Sequence, residues 1–204
     1  MNAILTMGIL IFMINTMHGH PVIWKGGHVI STTRSNQTME IKAHKSITKT
    51  ISFGLHGIEF HDSHIIMAQA NTLIKRWNET DAQSNAYLFT GMGIKSNSTK
   101  SYIGGHVGGQ IDWETRRYYT QFNYDGFLSN DQTHIIKTRV GIAPYLTRYE
   151  NIHAWLIIQW STHKRKNQNM SKILPVIRLF KKNILVEIGT DFSNQHLMTG
   201  MIHF

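Results

Sequence analysis

Histidine is the most conspicuous residue type with chemical potential, since 13 histidines occur in 204 residues that include no cysteine. Three of them lie on the polar faces of segments that alternate polar and apolar residues: His44, His56 and His106. Glu40 and Asp112 follow the same phase. Neutral imidazoles and carboxylates together are a ligand set for transition metals. Alternatively, these groups satisfy one another's hydrogen bonds inside a small barrel.

His20 is a fourth candidate metal ligand, because it becomes the first residue if a secretion signal is removed after Gly19. A terminal α-amino group and the adjacent imidazole form a bidentate chelate that suits Cu(II). The other interpretation is a chain terminus without functional consequence. Copper is therefore the one cofactor that the residues suggest.

Catalytic signatures are weak. The segment 61–64 (HDSH) contains the residue types of a hydrolase triad, but neighbours in one turn cannot adopt triad geometry. The sequence has no Gly-x-Ser-x-Gly motif and no glycine-rich phosphate loop. We therefore predict no catalytic residues. A lipid-modifying barrel enzyme stays open as an alternative, with a gap near Pro175 as its access for lipid.

Further charged residues share the polar phase of the histidines. With Glu40, His44, His56, His106 and Asp112, the predicted polar lining consists of Lys42, Arg117, Lys137, Arg139, Arg178 and Glu187. Opposite charges arranged in this way predict ion pairs that fill a lumen. The chain carries a formal charge of +9, and an open lumen with this lining is expected to favour anions.

The elements that carry these residues are short strands of period two, separated by polar turns such as 35–37 and 96–98. Residues 154–160, for example, place Ala154, Leu156, Ile158 and Trp160 on one face. About twelve such segments occur, with eight to twelve possible. They predict an all-β, closed antiparallel up-and-down transmembrane β-barrel. A soluble periplasmic β-sandwich that binds a ligand or copper would show the same alternation.

Aromatic residues favour the membrane alternative because they cluster towards strand ends, where membrane barrels carry interfacial girdles. The predicted girdle residues are Trp77, Trp113, Tyr118, Tyr145, Trp155 and Trp160. Pro175 falls inside an apolar strand and cannot donate a ladder hydrogen bond, so we predict a bulge or a strand break there.

The first residues predict export. Ala3 to Met17 is an almost uninterrupted apolar run, too short for a comfortable transmembrane helix but typical of a signal-peptide core. We predict a cleaved signal peptide over 1–19, a single barrel domain over 20–204, and a location in the outer membrane.

The last strand ends at Phe204, preceded at two-residue steps by Ile202, Gly200 and Met198. This pattern resembles the C-terminal strand by which outer-membrane barrels are recognised, and it implies an assembly signal at Phe204, Ile202 and Gly200. Segments 20–27 (HPVIWKGG), 73–78 (LIKRWN), 81–87 (DAQSNAY) and 140–145 (VGIAPY) resemble a family of exported proteobacterial proteins. The resemblance implies a location in the outer envelope. Some members of that family are encoded beside copper or other heavy-metal resistance genes.

The predicted partners follow from this location. They are outer-membrane lipids, lipopolysaccharide, whose phosphates suit the basic segment 163–166, and the barrel-assembly machinery. Nucleic acid is not expected, because no recognition motif is present and export separates the chain from it. The sequence thus predicts a non-enzymatic structural barrel or narrow pore, and a link to metal (copper) stress is a further hypothesis.

Overall fold

Twelve β-strands account for most of the computed structural model, which describes residues 20–130, 132–148, 150–165, 168–191 and 194–204. Within these ranges no helix is long and apolar enough to cross a membrane. The strands are β1 (His28–Ser35), β2 (Thr38–Ser46), β3 (Ile51–Phe60), β4 (Ser63–Asn78), β5 (Ala82–Asn97), β6 (Ser101–Thr115), β7 (Tyr118–Leu128), β8 (Thr133–Ile142), β9 (His153–Arg165), β10 (Gln168–Lys181), β11 (Ile184–Thr190) and β12 (His196–His203). The predicted signal peptide, 1–19, lies outside the described residues.

The sheet closes on itself. Each strand pairs antiparallel with its sequence neighbours, and β1 pairs with β12 from Val29↔His203 to Ser35↔Leu197. Closure leaves no edge strand with unpaired backbone groups, as a hydrocarbon environment requires. The predicted closed, up-and-down antiparallel barrel is confirmed, and the soluble sandwich with two separate sheets is wrong.

Two ends of the barrel are distinguished by the chain path. The near end carries residues 20–27, the C-terminal Phe204 and the connections that follow β2, β4, β6, β8 and β10. The far end carries the connections that follow the odd-numbered strands. The wall is uneven in height, because β4 and β5 have 16 residues each, whereas β11, β12 and β1 have only 7, 8 and 8.

The outward face is apolar, and this is the main consequence of the alternation. Ile103 on β6 and Met92 on β5 are 80% and 70% exposed, whereas His106, on the opposite face of β6 from Ile103, is buried inside the barrel. A surface covered by such large aliphatic side chains is unfavourable in water and matches the lipid-facing band of a membrane barrel.

The exposed aromatic residues are concentrated at the near end. There Trp24, Trp77, Trp113, Tyr118 and Tyr145 project outward. They form an interfacial girdle at this end, and Trp160, which is 43% exposed, projects outward from β9 closer to the far end. Trp155 does not belong to it, because this side chain is only 4% exposed and packs inside the barrel against Tyr119, 6.0 Å between ring centroids.

The predicted break at Pro175 is absent. Pro175 lies opposite Ile158 in an unshifted β9–β10 register, and the β10–β11 ladder ends one residue away at Val176↔Gly189. Because Pro175 lies just beyond that ladder, β10 continues without a bulge there. A register shift occurs instead in β4, between Leu73 and Lys75 opposite β5.

Candidate functional site in the barrel lumen

A cavity of ≈ 190 Å³ lies inside the barrel. It is bounded at the far end by an inward apolar cluster of Ile58, Phe60, Ile65, Met67, Phe127 and Ile135. At the near end it is bounded by the first described residues of the chain. Its charged and imidazole lining consists of His20, Glu40, Lys42, His44, Asp112, Glu114, Asp125, Lys137, Arg139, Arg178 and Glu187. The lumen is therefore polar in its middle and has buried apolar clusters towards both ends.

Glu187 organises one wall of the cavity. Arg139 donates to both of its carboxylate oxygens, at 3.0 and 3.1 Å, and Arg178 donates from Nε at 2.7 Å. The Arg178 guanidinium also lies over the Tyr119 ring, 4.6 Å from its centroid. Glu187 and Arg178 are buried, so this is a charge-assisted network shielded from bulk water.

Glu40, on β2, organises a second part of the lining. Its Oε1 atom accepts from the Lys42 ammonium at 2.8 Å and lies 2.8 Å from His56 Nε2. The other nitrogen of His56 lies 2.7 Å from Gln69 Oε1. Because Gln69 Oε1 is an acceptor, His56 Nδ1 is the donor in this contact.

The network continues from Gln69 towards the near end. The Gln69 amide donates to Asn71 Oδ1 at 2.6 Å, and the Asn71 amide donates to Ser52 Oγ at 3.0 Å. Ser52 in turn donates to the carbonyl oxygen of Pro21 at 2.8 Å. A one-way hydrogen-bond chain thus connects His56 to the start of the described chain, and aligned bonds of this kind polarise one another.

His106 occupies the space beside His56. The two rings contact edge to face with centroids 5.7 Å apart, and His106 Nε2 lies 3.0 Å from Asp125 Oδ1. A Cβ atom at Gly108 would lie 3.0 Å from the same carboxylate oxygen, so glycine leaves room for this pair. The lumen histidines are held by carboxylates and by each other.

The predicted metal ligands are only partly brought together. His56 and His106 are in contact, whereas His20 Nδ1 lies 3.1 Å from the Tyr87 hydroxyl at the near end. His44 lines the cavity, and its Nε2 atom has no hydrogen-bond partner. Within the described residues, no three His, Asp or Glu side chains are arranged to hold a metal ion. Copper binding at these positions stays a prediction.

Most residues predicted to line the lumen do point into it. Glu40, Lys42, His44, Asp112, Lys137, Arg139, Arg178 and Glu187 line the cavity, and His56 and His106 lie buried beside it. Arg117 is the exception and the prediction for it was wrong. It is exposed in the turn between β6 and β7, where Thr115 Oγ1 accepts from the backbone N–H groups of Arg117 and Tyr118 at 3.1 and 2.8 Å. This hydroxyl ends the strand before the alternation reaches Arg117.

The residues of the predicted assembly signal lie at the β12–β1 closure. Ile202 and Phe204 point outward, and Gly200 pairs with Thr32 of β1. The Phe204 ring stacks on His28 with centroids 5.4 Å apart, and their backbones exchange two hydrogen bonds of 2.6 and 3.0 Å. An outward C-terminal side chain is therefore accessible in the folded barrel.

Residues 20–22 lie inside the lumen, which the sequence did not predict. Val22 is 1% exposed and packs with Leu73, Tyr87 and Phe89. His20 and Pro21 contribute to the cavity lining. No local signal distinguishes this short segment from an unattached terminus, since its partners come from strands β3 to β5.

An ion pair crosses the far mouth. Asp62 follows β3 and Arg165 ends β9, and five strands lie between β3 and β9 in either direction around the barrel. The Arg165 guanidinium donates to both Asp62 carboxylate oxygens, at 2.6 and 3.0 Å. We call this contact the mouth bar. The hydrogen bonds from Arg165 lower the pKa of Asp62 below its ordinary value of 3.8.

We expect the mouth bar to open in acid. A carboxylate with a lowered pKa contributes its stabilisation above the ordinary pKa and loses it as pH falls through the lowered value. Wild-type far-mouth mobility, measured by a spin label on the exposed Lys100, should therefore be unchanged between pH 7 and pH 5 and should rise below about pH 4. In Asp62→Asn, the mobility of the spin label at pH 7 should already equal the mobility that the wild type reaches below about pH 4. Equal mobility of wild type and Asp62→Asn at pH 7 would contradict the bar. Global stability should change little, because the Asp62 side chain is 58% exposed.

Comparison with known proteins supports the architecture. No family model matches the chain, and no curated protein matches it in sequence. Among solved structures, the fold is similar to the KdgM porin, with a TM-score of 0.50, and to the KdgM porin in complex with disordered oligogalacturonate, with a TM-score of 0.52. Each comparison has 10% sequence identity and covers 87% of this chain and 98% of the other. At this identity the likeness defines the fold, a twelve-stranded antiparallel barrel.

Proposed function

We propose that this protein is a narrow outer-membrane channel for small polar solutes of low net charge. One observation carries the proposal: the closed barrel is apolar outside and encloses a cavity of ≈ 190 Å³ that is lined by charged side chains. A purely structural barrel has no need of an interior cavity lined by charges, since an apolar filling stabilises at least as well.

The outer membrane is the proposed location because single-chain barrels of this type, with an even number of antiparallel strands, occur in Gram-negative outer membranes. The fold likeness to porins supports it. On this reading the partners are the lipids around the apolar face, lipopolysaccharide at the outer surface, and the assembly machinery, which would engage β12. A connection with copper stress has no support in the lumen geometry.

The cavity lining argues for solutes without a large charge. Four Lys or Arg side chains and five Asp or Glu side chains line it. The lining therefore has no surplus of positive charge, and we no longer expect the anion preference that the sequence indicated. An acidic oligosaccharide, like the oligogalacturonate bound by the KdgM porin, would meet carboxylates such as Glu187 and Asp112 on its way. Small uncharged or zwitterionic molecules fit these facing charges better.

Refolded protein in planar bilayers tests the proposal. We expect discrete conductance steps with a reversal potential close to zero in a tenfold salt gradient, because neither ion sign is favoured by the lining. Unheated and heated samples should migrate differently in detergent gels, as closed barrels do. Absence of any conductance from a folded, heat-modifiable barrel, with residues 20–23 removed as well as present, would refute the channel and leave a structural barrel.

A further inference from the structure

Residues 20–23 lie at the near end of the lumen, and Val22 contributes an apolar, buried side chain to this segment. Val22 is among the most buried residues of the described chain and packs against Leu73, Tyr87 and Phe89 from β4 and β5. These partners face the barrel interior, not the lipid. The segment therefore occupies the path that a solute would take between the cavity and the near mouth.

Polar contacts hold the segment without any strand pairing. Ser52 Oγ donates to the Pro21 carbonyl at 2.8 Å, and the Ile23 backbone N–H donates to Ser46 Oγ at 3.0 Å. His20 Nδ1 lies 3.1 Å from the Tyr87 hydroxyl. The attachment thus includes side-chain hydrogen bonds, each worth about 1 kcal/mol, the buried Val22, and the contact of His20 Nε2 with Glu114 Oε1 at 3.9 Å. None of the strand ladders of the described barrel includes residues 20–23.

A glycine turn joins this segment to the barrel wall. Gly26 has a φ of 87°, in the left-handed region where glycine is favoured. Its N–H donates to the Ser46 carbonyl at 2.7 Å, and the Ser46 N–H donates to the Gly27 carbonyl at 2.9 Å. The base of the segment is therefore fixed to β2, and this turn separates the residues before Trp24 from β1.

We propose that residues 20–23 are an internal plug that must leave the near end before a solute can pass. This inference rests on the proposed channel function and adds to it a closed state and the residues that hold it. The plug is also connected to the cavity, since the hydrogen-bond chain from Glu40 and His56 ends on the Pro21 carbonyl. A solute that engages Glu40 acts on the first member of that chain, so occupancy of the cavity and release of the plug are coupled.

A reversible crosslink tests the plug directly, because the chain contains no cysteine. In Ile23→Cys/Ser46→Cys the side chain at position 46 already reaches residue 23, because Ser46 Oγ lies 3.0 Å from the Ile23 backbone nitrogen, and a disulfide would join the segment to β2. The oxidised double variant should stay closed in planar bilayers, and reduction should restore the wild-type open probability. Each single-cysteine variant, treated with the same oxidant, is the matched control and should not respond.

Loosening the plug should have the opposite effect. Ser52→Ala removes the donor to Pro21 and should raise the ratio of open to closed time about fivefold, the equivalent of one lost hydrogen bond. Ser161→Ala serves as the control, because Ser161 is a buried serine of β9 that is not among the cavity-lining residues and has no contact with the segment. In parallel, Val22→Cys should react with a membrane-impermeant maleimide faster in the Ser52→Ala background than alone.

The outcomes distinguish a failure of the plug from a failure of the proposed channel function. Equal conductance of oxidised and reduced Ile23→Cys/Ser46→Cys would overturn the plug while leaving the channel intact. Conductance absent from every form, including one that starts at Trp24, would refute the channel. In that case Val22→Cys labelling still decides the plug: rapid labelling in the wild-type background would mean that the segment does not rest inside the lumen.

Discussion

Leu55→Arg should destabilise the barrel in lipid vesicles by about 2–4 kcal/mol, the cost of an arginine near the middle of a bilayer. Leu55 lies at the centre of β3 and projects outward, 61% exposed. The free energy of unfolding in guanidinium chloride, followed by the fluorescence of the five tryptophans, measures the effect. Ile47→Arg is the matched control because Ile47 is similarly exposed, at 51%, but lies in the connection between β2 and β3 at the near end. We expect it to cost less than about 1 kcal/mol.

The comparison of these two variants is informative because water and lipid predict different results. If the outward face met water, both arginines would be equally tolerated, since exposed substitutions in soluble proteins change stability by about 0.5 kcal/mol or less. Equal losses in the free energy of unfolding for Leu55→Arg and Ile47→Arg would therefore contradict a lipid-facing outer surface.

Glu187→Gln should produce the largest loss of stability among the lumen variants, about 3–5 kcal/mol. The substitution keeps the shape of the side chain but leaves two guanidinium groups, Arg139 and Arg178, without the carboxylate that accepts from both. Unfolding in vesicles again measures the change. Glu59→Gln, an exposed position on β3, is the control and should be nearly neutral.

A second substitution shows whether unpaired charge is the cause. Adding Arg178→Met to Glu187→Gln removes one of the two stranded cations, so the double variant should be more stable than Glu187→Gln alone. A double variant that is less stable, with the two losses simply adding, would indicate that packing at Glu187 matters and that its ion pairs do not.

The sequence contained enough information for the architecture of this protein. Period-two alternation predicted both the strand number and which residues face inward, since Lys137 and Arg139 on β8 indeed line the cavity. It failed at a strand end, where a single hydroxyl, Thr115 Oγ1, ends β6 and leaves Arg117 in a turn. Local alternation carries no information about such capping contacts.

The arrangement inside the lumen was less predictable. That His56 and His106 touch depends on closure and shear, which place β3 and β6 side chains together although they are not adjacent strands. Val22 occupies space that the strands leave inside the lumen. The mouth bar joins two residues that are 103 positions apart in the sequence. These contacts arise from the three-dimensional closure of the sheet, so neither composition nor periodicity reports them.

The uneven wall also concerns the lipids that surround it. A transmembrane strand needs about 9–11 residues to cross a bilayer, but β11, β12 and β1 are adjacent and have 7, 8 and 8. Hydrophobic mismatch of this sign is relieved by local thinning of the membrane. The bilayer should therefore be thinner beside β11, β12 and β1. We expect this protein to insert more efficiently into bilayers of short-chain lipid than into thick, sterol-rich ones.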